Sequence, residues 1–266
     1  MFREHPSAWG DSLTTIEKVT EKEIEIWIED GACDGYVYFP ESKEALPGAI
    51  LLPDIGGVRP AYRESAKRLA SQGYVVLLPN VFYRTGKSPV LPYPVKFGEE
   101  KTMKRIGELR APLTPEVMER DGVEYADFLG KQPGVKSGAM GVVGYCFTGA
   151  MALRMAAALP GKIAAAASFH GGGLYTGEPT SPHKVLPRIP LSTRLYFGHA
   201  VEDRGMPKEA IEKFEQALAA WGGKYESETY EGAFHSWTTL DSPVYNQPQA
   251  ERAFGKLTEL FGAALK

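Results

Sequence analysis

From Glu23 to Glu29, Ile24, Ile26 and Ile28 alternate with charged residues and the amphipathic Trp27. That two-residue period is the mark of a strand with one wet face. Asp30-Gly31 offers turn chemistry, and Tyr36-Val37-Tyr38-Phe39 reads as a second strand, so an antiparallel hairpin at a sheet edge is expected. Beyond it the alternation stops. Residues 48–52, 74–78, 140–143 and 165–169 are short unbroken apolar runs, with Leu195-Tyr196-Phe197 a weaker fifth. Strands covered on both faces read this way, as in parallel sheets flanked by helices. Helical periods fill the gaps: 62–72 carries Ala66, Leu69 and Ala70, and 115–129 carries Val117, Met118, Val123 and Phe128. Pro207 suits the first turn of a helix running to Trp221. A last helix begins near Pro248 with Ala250, Phe254, Leu257 and Phe261 on one stripe. The order predicts an α/β domain with a mainly parallel sheet and the N-terminal hairpin attached.

One stretch breaks the pattern. Residues 84–115 hold Pro89, Pro92, Pro94, Pro112 and Pro115, several lysines and few apolar positions. A plain connection is rarely so long, so a lid or excursion over the sheet is expected, with an ordinary surface loop as the alternative.

Composition narrows the function classes. Thirty basic residues against 33 acidic ones give a net charge of −3, which offers no electrostatic footprint for nucleic acid or an anionic membrane. No apolar run approaches the ~20 residues that cross a bilayer. The start, Met-Phe-Arg-Glu-His-Pro, lacks the apolar core of a secretory signal, so a cytoplasmic location is expected. Two cysteines, Cys33 and Cys146, rule out a disulfide framework and the usual zinc ligand set. Neither a metal nor a cofactor is expected. At 266 residues the chain reads as one domain over 21–266, preceded by an N-terminal extension at 1–20.

The chemistry concentrates in Gly144-Tyr145-Cys146-Phe147-Thr148-Gly149, where an apolar strand meets a helix of small residues. A nucleophile elbow has this form: its turn is strained, so the neighbours two positions away must be small. A cysteine there gains a helix N-terminus that favours thiolate and a following N–H that can face an oxyanion. A buried, inert cysteine in a glycine-rich turn is the competing reading. A thiolate nucleophile needs a base, and the base an orienting acid, from loops at the carboxyl ends of later strands. His235, after the strand 224–230, stands where the base belongs, with His199 and His170 as rivals just past strand ends. His5 lies in the N-terminal extension and His183 among prolines. Asp203 follows the strand ending at Phe197, with Glu202 as its alternative and helix capping as its other use.

Gly144-Tyr145-Cys146, Asp203 before Met206-Pro207, and Gly232-Ala233-Phe234-His235-Ser236 together resemble the dienelactone hydrolase (carboxymethylenebutenolidase) family, from about Tyr36 to the last helix. The resemblance implies an α/β-hydrolase fold with helices on both faces of the sheet and a Cys146-His235-Asp203 triad. It implies hydrolysis of a small ester or lactone through an acyl-thioester. Leu52-Pro53-Asp54-Ile55 is similar to the family loop, which implies Asp54 as partner of the resting thiol and the Ile55 and Phe147 N–H groups as oxyanion hole. Val81-Phe82-Tyr83-Arg84 is similar to the segment whose arginine binds a substrate carboxylate; Tyr83 and Trp237 are expected as apolar walls. The chain departs from the pattern at Thr148, where the elbow usually has glycine, and at Thr239, where a second carboxylate-binding arginine usually stands. A catalytically silent hydrolase-fold binder, or an acyltransferase or peptidase on the same scaffold, are the alternatives. The expected partner is a small-molecule substrate, with a monomer or small homo-oligomer as the assembly.

Overall fold

The structure, a computed structural model, describes residues 18–91 and 95–266. His5, most of the expected N-terminal extension, and Pro92 and Pro94 lie outside the described residues.

The isoleucine alternation becomes β1 (Val19–Ile28), paired antiparallel with β2 (Gly31–Pro40). Ile26 and Ile28 are buried and Trp27 points outward, 78% exposed. β2 pairs antiparallel with β4 (Val75–Pro79), which hands the sheet over to parallel pairing with β3 (Gly48–Leu52). The remaining strands, β5 (Met140–Tyr145), β6 (Ile163–Phe169), β7 (Arg194–His199) and β8 (Lys224–Thr229), add in chain order, all parallel. The eight strands run β1-β2-β4-β3-β5-β6-β7-β8.

The unbroken apolar runs still obey the pleat. Ile50, Leu52, Leu77 and Val142 face one core with α3 (Pro115–Gly130), α4 (Thr148–Ala158) and α5 (Lys208–Trp221). Ala49, Leu51, Val76 and Val143 face the other with α1 (Pro60–Ala70) and α6 (Gln247–Leu265). Helices therefore cover both faces, which is why both sets of positions must be apolar. Local chemistry sets the helix ends: Thr114 Oγ1 accepts the Val117 N–H at 3.3 Å, Asn246 Oδ1 accepts the Gln249 N–H at 3.3 Å, and α5 stops at Gly222 with φ +73°.

Two details differ from the sequence reading. The stretch 84–115 contains a helix, α2 (Glu100–Arg110), which buries only Ile106 and Leu109. One i, i+3 pair among charges is too thin a stripe to stand out as a period. Pro207 caps α5 from outside, and Lys208 begins the helix. No helix among the described residues is long and apolar enough to cross a membrane.

Candidate active site

Five loops leave the carboxyl ends of β3, β5, β6, β7 and β8 on one side of the sheet, carrying Asp54, Cys146, His170, Asp203 and His235 in turn. Ligand crevices of parallel sheets form on this side.

Cys146 occupies the turn between β5 and α4 with φ +56°, a left-handed conformation that non-glycine residues adopt only under constraint. The constraint is steric. A Cβ at Gly144 would meet the Thr148 carbonyl oxygen at 2.2 Å, and one at Gly149 would meet Ser168 Oγ at 2.1 Å. Thr148, the departure from the family elbow, is fully buried. Its hydroxyl accepts the Tyr145 N–H at 2.9 Å and shares its proton between the Leu52 and Tyr145 carbonyls, each 3.0 Å away. It thereby staples the turn to the end of β3, work that a glycine could not do. Cys33, by contrast, is sealed in the core, and burial pushes its thiol up to about 12.

His235 Nδ1 lies 2.6 Å from Asp203 Oδ2, while Asp203 Oδ1 accepts the Gly205 N–H at 2.8 Å. Burial alone would lower the His235 pKa; hydrogen bonds to Asp203 and to the Cys146 sulfur, and the negative charges behind them, raise it to about 10. The imidazole is thus held protonated beside the Cys146 sulfur. The rivals make other contacts. Glu202 is exposed on the cavity wall. His199 is buried with Nε2 at 3.1 Å from Ser227 Oγ, and desolvation takes it down to about 4. His170 is buried beside Cys146, with its ring bonded to backbone and to Thr238.

Cys146 and His235 face two adjoining cavities. One, about 710 Å³, is also lined by Phe147, Asp203, Arg110 and Arg204; the other, about 590 Å³, by Ile55, Asp54, Arg59, Phe97 and Leu240. Among the described residues neither the Ile55 nor the Phe147 N–H is taken by a protein acceptor.

The remaining expected residues have other partners. Asp54 is bound by Arg59, with Nη1 and Nη2 at 2.6 and 3.0 Å, and Arg59 also donates to Asp241 at 2.8 and 3.1 Å. Its carboxylate serves a guanidinium and the Gly56 N–H (2.8 Å). Arg84 donates to both oxygens of buried Asp121, at 2.6 and 2.7 Å, and to Asp30 at 2.8 Å. The Tyr83 hydroxyl donates to the same Asp121 at 3.4 Å. Neither residue lines the two cavities. Trp237 is fully buried and stands behind His170, ring centroids 5.2 Å apart. Thr239 is buried against the Tyr62 hydroxyl at 3.4 Å. Sequence reasoning missed Arg59, Arg110, Thr238 and Asp241. No local pattern in the sequence marks any of them; Arg59 stands at the N-cap of α1 but makes no side-chain cap there.

The sheet order, the strained cysteine turn and the chain order of Cys146, Asp203 and His235 define an α/β hydrolase. The chain belongs to the dienelactone hydrolase family, whose model matches residues 33–265. A Synechocystis sp. protein provisionally named a carboxymethylenebutenolidase is 27% identical over 261 residues, covering 96% of this chain and 99% of that protein. The carboxymethylenebutenolidase of Rhodococcus opacus is 30% identical over 191 residues, 71% of this chain and 69% of that one. In fold, a protein of Klebsiella pneumoniae provisionally named a dienelactone hydrolase superposes with a TM-score of 0.80 at 20% identity, covering 92% and 99% of the two chains.

Proposed function

We propose that this hydrolase cleaves a small ester or lactone with Cys146 as nucleophile, His235 as acid and base, and Asp203 as the group that orients His235. The observation that carries the reading is the 2.6 Å His235–Asp203 contact, with the same imidazole interacting with the sulfur of a cysteine in a left-handed turn that lines the same cavities. The thiolate attacks the acyl carbon, and the carbonyl oxygen takes the negative charge between the Ile55 and Phe147 N–H groups. Collapse expels the alkoxide, which takes the His235 Nε2 proton and leaves a thioester and a neutral imidazole. That imidazole accepts a proton from water as hydroxide attacks the thioester. The second collapse releases the acid and restores thiolate and imidazolium. Asp203 holds the Nδ1 proton throughout and fixes which nitrogen faces the sulfur.

The experiment is alkylation followed by trapping. Iodoacetamide is expected to label Cys146 far faster than Cys33 and to abolish hydrolysis. Acid quenching during turnover of a slow ester is expected to leave an acyl adduct on the Cys146 peptide by mass spectrometry. Full activity after Cys146 is modified ends the proposal.

A further inference from the structure

His170 is a buried titratable residue that the reaction does not use, and its surroundings are unusually specific. It follows β6, has φ +41° and is 1% exposed. Its own N–H donates to the Gly198 carbonyl at 2.8 Å. The next residue must be glycine, because a Cβ at Gly171 would meet Ser168 Oγ at 2.2 Å. Left-handed backbone is imposed on a side chain here, and such positions persist where the surroundings over-determine them.

Both ring nitrogens are occupied. Nδ1 lies 3.1 Å from the Cys146 amide nitrogen, and Nε2 lies 2.8 Å from Thr238 Oγ1. An amide N–H can only donate, so Nδ1 must present a lone pair. In a neutral imidazole the proton then sits on Nε2, where the Thr238 hydroxyl accepts it. We propose that His170 is a positioning residue whose neutral, Nε2-protonated ring ties the nucleophile turn to the loop that carries His235. The inference rests on the reading of Cys146 as nucleophile and His235 as base.

The bridge spans three loops. The Cys146 N–H is shared between Nδ1 and the Phe169 carbonyl, each at 3.1 Å, so the ring is one of the two acceptors of that N–H in the strained turn. Thr238 lies three residues beyond His235, so the second bond fixes the base loop against that same turn. The ring also packs edge-on against His235, centroids 5.1 Å apart, with Tyr145 and Trp237 on its other sides. A proton on Nδ1 would point at the Cys146 N–H, and if Nε2 kept its own it would also set a second cation against the imidazolium of His235. Burial first, and the charge on His235 second, hold His170 well below the ordinary histidine range. Neither ring nitrogen is left for proton transfer to the sulfur, which separates His170 from its role as rival base.

Two measurements test this. Long-range ¹H–¹⁵N correlation spectra, with His170 assigned by its absence in His170→Phe, are expected to show a neutral ring protonated on Nε2, while His235 is doubly protonated near neutral pH. An Nδ1-protonated or imidazolium His170 would overturn the proposal. His170→Phe keeps the aromatic packing but neither hydrogen bond. It is expected to lower kcat about 100-fold with KM within a few-fold, the scale of a small misplacement of reacting groups. Alkylation of Cys146 should slow in parallel, without any substrate. His170→Gln, which can both accept and donate, is expected to recover most of kcat and of the alkylation rate. Equal kcat and equal alkylation in native protein and His170→Phe, or no difference between the Phe and Gln variants, also overturns it. Failure of the triad reading looks different: native protein stays active with Cys146 alkylated, whatever tautomer His170 shows.

Discussion

Arg84→Ala separates a substrate-binding arginine from one that belongs to the fold. The family resemblance assigns Arg84 to a substrate carboxylate, yet its guanidinium grips Asp121 through two bonds of 2.6 and 2.7 Å, with a third to Asp30. The Asp121 side chain is 0% exposed and that of Arg84 11%. Truncating the arginine leaves a carboxylate buried on α3 with only the long Tyr83 hydroxyl contact to compensate it. Breaking a buried pair in this way costs about 3–5 kcal/mol. The contact to the half-exposed Asp30 adds little. At roughly 2–4 °C per kcal/mol for a domain near this size, Tm should fall by about 6–20 °C. Calorimetry at neutral pH reads the shift, with Arg84→Met/Asp121→Leu as the control. Replacing both partners by apolar residues removes the unpaired charge, so the double variant is expected to recover most of the loss. The ratio of kcat/KM for a carboxylated lactone to that for its methyl ester should not change in either variant. A Tm within a degree of native, with selective loss of the carboxylated substrate, would refute the reasoning and return Arg84 to the binding site.

Three further outcomes are expected. His235→Ala and Asp203→Asn should each lower kcat on the order of 10³-fold or more, while Glu202→Gln and His199→Ala cost far less; steady-state kinetics that reversed His235 and His199 would move the base. With His235 raised to about 10, its proton is bound throughout neutral pH and lost as pH rises through that value, so kcat/KM should hold on the alkaline side and fall near pH 10. In Asp203→Asn that limb should move to lower pH, and a native limb near the ordinary histidine value would sink the imidazolium–thiolate pair. A dienelactone is expected to be hydrolysed no better than its methyl ester, since one family clamp position is committed to Asp121 and the other is Thr239. A strong preference for the acid that vanished in Arg204→Ala would instead place an anion site in the larger cavity.

The fold was legible where burial imposes a pattern on many residues at once. The isoleucine alternation of β1 and the unbroken runs of β3 to β7 reflect one wet face and none, respectively, and each involves several side chains. α2 escaped because only Ile106 and Leu109 anchor it, with the rest of its surface charged or exposed. The order of the strands was a different matter. Parallel pairing could be anticipated, but the placement of β4 between β2 and β3 depends on contacts far apart in the chain, such as Tyr36 opposite Leu78.

The site divides along a physical line. A role carried by the backbone travels with the local sequence: the turn at Cys146 needs glycines at 144 and 149, and those letters are visible within six residues. The Phe147 N–H comes with that turn at no further requirement. A role carried by a side-chain charge depends on which partner reaches it first, and partners arrive from other elements. Asp54 stands where the family loop has its thiol-holding acid, but Arg59 at the start of α1 claims both oxygens, and Asp241 claims the other side of Arg59. Arg84 is one strand-end away from the site, and Asp121 from α3 turns it into a strut. His170 shows the same dependence in the opposite sense. Nothing within its own loop distinguishes a pocket histidine from a satisfied core residue. Its character comes from an amide 24 residues upstream and a hydroxyl 68 residues downstream, which between them use both nitrogens and leave one tautomer.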